Sequence, residues 1–153
     1  MTDIRFYHLQ QHSLDQALPL LLRKALDNGK RILVRLADEA RIESLSDAIW
    51  SYKENGFIPH GAANNDDSAD QPVLLTASGE NANKADMLVL TNGNAASDEY
   101  KDLDDFSLCC EMFSGQDANE VAAARLRWKA YKDAGHNLTY WQQTERGGWE
   151  QKA

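Results

Sequence analysis

The chain has 153 residues, with 16 Lys and Arg against 24 Asp and Glu, which gives a formal net charge of −8 at pH 7. A chain of this length is expected to form one domain that buries roughly 70% of its unfolded surface, so it requires neither disulfides nor metals to fold. The acidic charge excludes tight non-specific binding to nucleic-acid phosphates, and a hydrophobic fraction of 42% excludes a disordered chain.

The sequence predicts neither a membrane segment nor a cysteine framework. The longest apolar stretch near the start, 17–22, is far shorter than the ~20 residues that a membrane-spanning helix needs. Charged residues such as Asp3 and Arg5 interrupt the first segment, so we expect no signal peptide and a cytoplasmic protein. Cys109 and Cys110 are adjacent, which predicts two reduced thiols on opposite faces of a strand.

The first predicted elements are a strand and a capped helix. Aromatic and β-branched residues at 4–7 indicate a short strand. Ser13 and Gln16 form a capping box for a helix that Gly29 ends. Pro19 lies inside the helical pattern and predicts a start later than Ser13. The apolar stripe of this helix consists of Leu14, Leu18, Leu21, Leu22 and Leu26.

A second strand and a second helix follow. Residues 31–36 are typical of a strand, and Asp38 is placed to cap a helix that ends near Gly56. The polar stretch 60–71 has no large apolar residue, which predicts a mobile surface loop. The apolar face of the second helix carries Ile42, Leu45 and Ile49.

The second half of the chain contains three strand patterns and one long helix. Residues 73–76 and 87–90 are short apolar runs, and the second is typical of a strand buried on both faces. Five acids and one lysine at 98–105 predict an acidic loop. A strand is then expected at 106–113 and a helix at 117–133.

Strands that alternate with helices predict an α/β fold. We expect a single Rossmann-like domain over 1–141, with a mainly parallel central sheet and helices on both faces. Residues 142–153 are polar and contain the pair Gly147 and Gly148, so we expect a flexible C-terminal tail.

The patterns of the common α/β enzymes are missing from the sequence. The turn at 8–13 has no glycine, and neither the dinucleotide fingerprint, the P-loop nor the nucleophile elbow occurs. No acidic pair follows the first strand, and no pair of acids is set in an apolar environment that would shift its pKa. We therefore expect no catalytic residue, no cofactor and no metal. The histidines are scattered at His8, His12, His60 and His136.

The last predicted helix carries the strongest signal for binding. Residues 121–132 contain four cations and no acid, which leaves −12 for the rest of the chain. Three of the cations and one tryptophan are spaced i, i+3, i+4 and i+7, so on a helix they fall within an arc of roughly 100°. We predict that these three cations surround the exposed indole of the tryptophan, and that the opposite side of the helix faces the core. The set is Arg125, Trp128, Lys129 and Lys132, and the side expected in the core is Ala123, Leu126, Ala130 and Ala134.

Two interpretations of this basic face remain open. Lys129 and Lys132 lie near the end of the helix, where cations are favourable by ~0.3–1 kcal/mol without any partner. That explanation does not account for Trp128 among them, because an exposed aromatic framed by cations is typical of a recognition site. Such a face suits an acidic peptide with an apolar anchor or a free C-terminus.

A second apolar surface is predicted around Trp50 and Phe57. Trp50 lies about 100° around its helix from Ile49, at the edge of the buried stripe. The two aromatic side chains either cap the core or form a docking patch for another protein.

Taken in order, these segments resemble the chi subunit of bacterial DNA polymerase III, a part of the clamp-loader complex. The match covers most of the chain. It consists of Phe6-Tyr7, 29–34, Leu45, 48–50, 57–60, 72–73, 87–90 and 124–132 before Gly135.

The resemblance implies a non-enzymatic adaptor that joins the clamp loader to single-stranded DNA-binding protein by gripping the acidic, Phe-ending tail of that protein. The tail-binding site that the resemblance implies corresponds to Arg125, Trp128 and Lys129. At the position of Trp128 the family more usually has a tyrosine. The contact with the psi subunit, or with a helicase, corresponds to Trp50 and Phe57. DNA is then contacted only indirectly.

Two alternatives to this adaptor stay open. The first is a small-molecule-binding or enzymatic α/β domain that uses the crevice at the carboxyl ends of the strands, near 8–13. The second is direct binding of single-stranded DNA through Trp128 and the basic face, which the −12 on the remaining surface disfavours.

Overall fold

The computed structural model describes residues 2–36, 40–51, 58–62, 68–77, 83–91 and 106–153. In these ranges the chain forms eight strands, three α-helices and one 3₁₀ turn. The first half contains β1 (Asp3–Leu9), α1 (Leu14–Asp27), β2 (Ile32–Arg35), α2 (Ala40–Ser51), β3 (Gly61–Ala62) and the 3₁₀ turn Ser68–Asp70. The second half contains β4 (Val73–Thr76), β5 (Met87–Thr91), β6 (Leu108–Ser114), α3 (Ala118–Asp133), β7 (Asn137–Gln143) and β8 (Trp149–Gln151).

The described strands form one sheet in the order β3-β4-β2-β5-β6-β1-β7-β8. Every neighbouring pair is parallel except β7 and β8, which are antiparallel. The register places Ile4 of β1 between Cys109 of β6 and Leu138 of β7. The predicted α/β architecture with a mainly parallel sheet is therefore confirmed.

The two faces of the sheet have separate hydrophobic cores. On one face α1 and α2 cover a core that includes Leu22, Leu45 and Cys110, while α3 packs on the other face over a core that includes Phe6 and Cys109. The two cysteines are free and buried on opposite faces, as predicted. Helices therefore lie on both faces, and the site predicted on α3 is separated by the sheet from α1 and α2.

Helix α1 begins directly after its N-cap residue, Ser13. The side chains of Ser13 and Gln16 each bond the backbone of the other residue, and the helix starts at Leu14. The expected later start is wrong: Pro19 is buried inside the helix. Residue 19 has no N–H to donate to the carbonyl of Asp15, and the packing of the buried Leu18 and Leu22 side chains outweighs this one missing bond.

The C-terminal segment differs from the expected polar tail. Gln142 and Gln143 complete β7, and Gly147 supports the turn to β8 with a φ of 84°. Trp149 packs edge-on against Tyr7 of β1, with ring centroids 4.9 Å apart. The apolar contact and the antiparallel pairing hold residues to 151 in the sheet.

Several predicted features lie outside the described residues: Asp38, the helix end near Gly56, and the acidic loop at 98–105. Of the predicted loop 60–71, Gly61–Ala62 pairs with β4 and Ser68–Asp70 forms the 3₁₀ turn. None of the helices in the described ranges has the length and apolar composition to cross a membrane.

Candidate protein-interaction surface

Helix α3 displays the predicted basic face. Asp117 caps the helix, because its carboxylate accepts the N–H groups of Asn119 and Glu120. Arg125, Lys129 and Lys132 are exposed along one side. Among the residues that the structure describes, none of these three cations forms an ion pair. The surface of Arg125, Trp128, Lys129 and Lys132 is called the basic face below.

The core side of α3 is not the one expected from its small residues. Leu126, which was expected in the core, is 74% exposed, and the buried residues are Ala124, Arg127 and Tyr131. Arg127 turns inward because its Nε donates to Oε2 of Glu111 on β6 over 2.5 Å. The helix is therefore rotated by roughly 90° from the predicted orientation.

Glu111 is a single buried acid that the sequence analysis did not identify. Its carboxylate lies in the centre of β6 and is 1% exposed as a residue. Burial raises the pKa of Glu111 to about 7, although the charge and hydrogen bond of Arg127 act in the opposite direction. The pair is enclosed beneath α3, so it holds the helix on the sheet and is not open to a substrate.

Trp128 is half-buried and not fully exposed as predicted. Its ring packs edge-on against Phe6, with centroids 5.3 Å apart, and against Tyr140 at 5.9 Å. The residue lies between the buried stripe and the three cations, because it shares i, i+3 and i+4 spacing with both sets. Part of the indole is therefore fixed by the core while the rest forms the apolar part of the basic face.

Two residues near this face, His8 and Tyr140, were not predicted to lie beside it. Tyr140 of β7 has its hydroxyl 2.6 Å from Nδ1 of His8 on β1. Burial, and then the charge of Arg125, lower the pKa of His8, whereas the same cation partly offsets the rise in pKa that burial causes at Tyr140. The alternation of Leu138 and Tyr140 with polar residues is the signal that could have identified this strand.

The crevice at the carboxyl ends of β1 and β6 is occupied by the chain itself. The N–H of Gly115 donates to the Leu9 carbonyl over 2.7 Å, and the Gln116 side chain donates to the Gln10 carbonyl over 2.8 Å. The ring of His8 lies so close to Gly115 that a Cβ there would overlap it. The crossovers after β1 and β6 run in opposite directions, so this is the switch point where α/β domains bind ligands.

The side-chain amide of Gln143 holds the turn between β1 and α1. The N–H groups of Gln10, Gln11 and His12 donate to Oε1 of Gln143 over 3.2, 2.8 and 3.0 Å. Consecutive N–H groups at a helix start are the usual cradle for a phosphate. Here a buried glutamine oxygen occupies that cradle, which removes the basis for the small-molecule alternative at this position.

The predicted Trp50 surface is described only in part, because Phe57 lies outside the described residues. Trp50 is 54% exposed at the end of α2 and packs against His60, with ring centroids 4.9 Å apart and ring planes inclined at 52°. His60 is held by Ser46 at 2.9 Å and by the carbonyl of Ile58 at 2.8 Å. Within the described part of the chain, no cluster of His, Cys, Asp and Glu is suited to a metal.

Comparison with known proteins agrees with the predicted resemblance. Residues 1–139 match the sequence model of the family described as DNA polymerase III chi subunit, HolC. The DNA polymerase III subunit chi of Pseudomonas aeruginosa is 28% identical over 141 residues, which cover 90% of this chain and 94% of that protein. The DNA polymerase III subunit chi of Escherichia coli is 27% identical over 112 residues, which cover 72% of this chain and 73% of that protein. The chain therefore belongs to the DNA polymerase III chi subunit family.

Proposed function

We propose that this chain is a non-catalytic adaptor of DNA replication that links the clamp loader of DNA polymerase III to single-stranded DNA-binding protein. In this proposal the basic face of α3 binds the acidic, Phe-ending C-terminal tail of that protein. The observation that carries it is the row of Arg125, Lys129 and Lys132 beside the half-buried Trp128, on a chain whose net charge is −8.

The chemistry of the basic face supports this choice of ligand. An arginine fork grips a carboxylate bidentately, and the two lysines neutralise further acids. Since the three cations lack ion pairs among the described residues, a ligand does not have to displace an internal carboxylate. The rings of Trp128 and Tyr140, 5.9 Å apart, supply an apolar surface for a terminal Phe.

A peptide titration tests this site. A fluorescent peptide of several aspartates ending in a free Phe is titrated with the full chain, with Arg125→Ala and with Lys129→Ala. Each variant should weaken binding by about threefold to tenfold, because partly exposed ion pairs contribute modest energies. Higher salt should weaken the wild-type complex.

The matched control is Lys24→Ala, which removes an exposed cation from the last turn of α1 on the opposite side of the sheet. It should leave the affinity unchanged. A second control replaces the terminal Phe of the peptide by Ala and should lose most of the binding. Wild-type affinity in both the Arg125 and the Lys129 variant would refute the assignment of the site.

We also propose that Trp50, with Phe57, contacts a psi-like subunit or a helicase. The exposed indole packed against His60 supports this proposal, because large exposed aromatic side chains dominate many protein interfaces. The test is co-elution with purified psi subunit. Trp50→Ala should abolish co-elution, whereas Leu20→Ala, which removes a residue of similar exposure (57%) on α1, should not. Wild-type co-elution of Trp50→Ala would exclude this contact.

In this proposal the chain reaches DNA only through its partner. A labelled oligothymidine should show no binding to the chain alone and should join the complex when single-stranded DNA-binding protein is added. Tight binding to the oligonucleotide alone, lost in Arg125→Ala, would instead favour direct contact with the strand.

A further inference from the structure

A cavity of about 500 Å³ lies on the α1 side of the sheet, away from the basic face of α3. Tyr7 and Met112 form part of its floor, Leu21 of α1 forms one wall, and Trp149 of β8 forms the other. Its volume falls within the range of about 300–1,000 Å³ that is usual for small-molecule sites. We call it the α1–β8 cavity.

The apolar lining of this cavity reaches the surface. Leu20 lies at the mouth and is 57% exposed, while Met87 and Met112 in the floor are almost fully buried. Cys110 also lines the floor, and burial raises its pKa to about 12, so this thiol stays neutral. The floor therefore offers soft, uncharged side chains to a ligand.

The charges of the cavity are all of one sign. Arg5, Lys24 and Lys30 line it, and no described lining residue is an Asp or Glu, although the chain as a whole is acidic. Within the described residues these three cations also form no ion pair. Lys24 lies in the last turn of α1, Lys30 follows the end of that helix, and Arg5 lies on β1. The cavity therefore has only cationic charge around an otherwise largely apolar lining.

A ligand with an apolar body and an anionic group fits this lining. We propose that the α1–β8 cavity binds an amphipathic organic anion, with its acidic head at Arg5, Lys24 and Lys30 and its apolar chain between α1 and Trp149. An extended peptide is disfavoured as the occupant, because its N–H and C=O groups would face a largely apolar floor without partners. This site is independent of the basic face, since the sheet separates the two.

Methionine methyl NMR reports on this cavity directly. The chain has three methionines, and Met87 and Met112 both line the cavity. The full chain, labelled with ¹³C at its methionine methyl groups, is titrated with sodium decanoate and, separately, with decylamine of equal chain length. Decanoate should shift the Met87 and Met112 signals to saturation, whereas decylamine should bind at least about fivefold more weakly because it places an ammonium among cations.

Matched double variants identify the residues that hold the acid. Lys24→Gln/Lys30→Gln should weaken decanoate binding by about fivefold, and Lys129→Gln/Lys132→Gln on α3 should leave it unchanged. All four lysines are at least partly exposed, so both variants should fold. The proposal is overturned if decanoate leaves Met87 and Met112 unshifted, if decylamine binds as well as decanoate, or if the two double variants behave alike.

Discussion

The Nε atom of Arg127 lies 2.5 Å from Oε2 of Glu111, and the side chains of the pair are only 3% and 2% exposed. The pair joins α3 to β6, a central strand of the sheet. Removing both charges from water is costly, so such a pair stabilises a fold only while each partner compensates the other. The orientation of α3, and with it the basic face, therefore depends on two residues that do not belong to that face.

Arg127→Met should destabilise the protein in a pH-dependent way. The change leaves the carboxyl of Glu111 buried without its cation, which should lower the free energy of unfolding by about 3 kcal/mol at pH 8. At pH 5 the loss should be smaller, since Glu111 is then protonated and neutral. Urea unfolding at both pH values measures the difference, and equal losses would contradict the role assigned to the charge.

Glu111→Gln should remove one contribution to the pH dependence of stability. Burial raises the pKa of Glu111 from 4.5 to about 7, so the folded protein holds this proton more tightly than the unfolded chain does. The contribution of this proton to the free energy of unfolding is fully present below pH 4.5 and is lost as the pH rises from 4.5 through about 7. Gln does not titrate. The free energy of unfolding of the variant should therefore rise relative to wild type between pH 4.5 and 8, and a flat difference would exclude this titration.

Arg125→Gln should raise the pKa of His8. Burial lowers that pKa first, and the charge of Arg125 lowers it further, so removing the cation leaves only the effect of burial. The pH titration of the His8 ring protons by NMR measures the change. Lys129→Gln is the control, because Lys129 does not contribute to the shift at His8. An unchanged pKa in Arg125→Gln would place the guanidinium away from the ring.

Gln143→Ala should destabilise the protein by about 2 kcal/mol, because the N–H groups of Gln10, Gln11 and His12 lose their shared acceptor. Sulfate should recover more stability in the variant than in wild type by entering the vacated cradle. Gln142→Ala is the matched control and should change the free energy of unfolding by less than about 0.5 kcal/mol. Urea unfolding with and without sulfate tests both statements, and an equal sulfate effect in all three proteins would show that no anion binds there.

The sequence predicted a helix or strand correctly where the residues of that element alone were enough to identify it. The apolar runs at 73–76 and 87–90 are strands, and Asp117 caps α3 as the predicted range 117–133 implies. The capping box at Ser13 likewise fixed the start of α1, while Pro19 misled because tertiary packing outweighs one lost hydrogen bond.

The errors arose where a residue depends on a distant partner. The rotation of α3 was mispredicted because helical periodicity treats Arg127 as exposed, whereas Glu111, 16 positions away, makes its burial favourable. Strand β7 was not predicted, because its polar residues are typical of a loop. Gln143 is buried in the structure, where three N–H groups converge on its side-chain oxygen. Tyr140 was missed with the same strand.

Cys109 and Cys110 are the only two cysteines of the chain, and both are fully buried in β6. Burial raises the pKa of each thiol, so alkylating reagents meet no thiolate in the native state. A cysteine introduced at Lys132 would therefore be the first thiol to react, which allows a fluorophore to be attached to the basic face without replacing the native cysteines. Slow modification of the native pair would in turn measure how often the sheet opens.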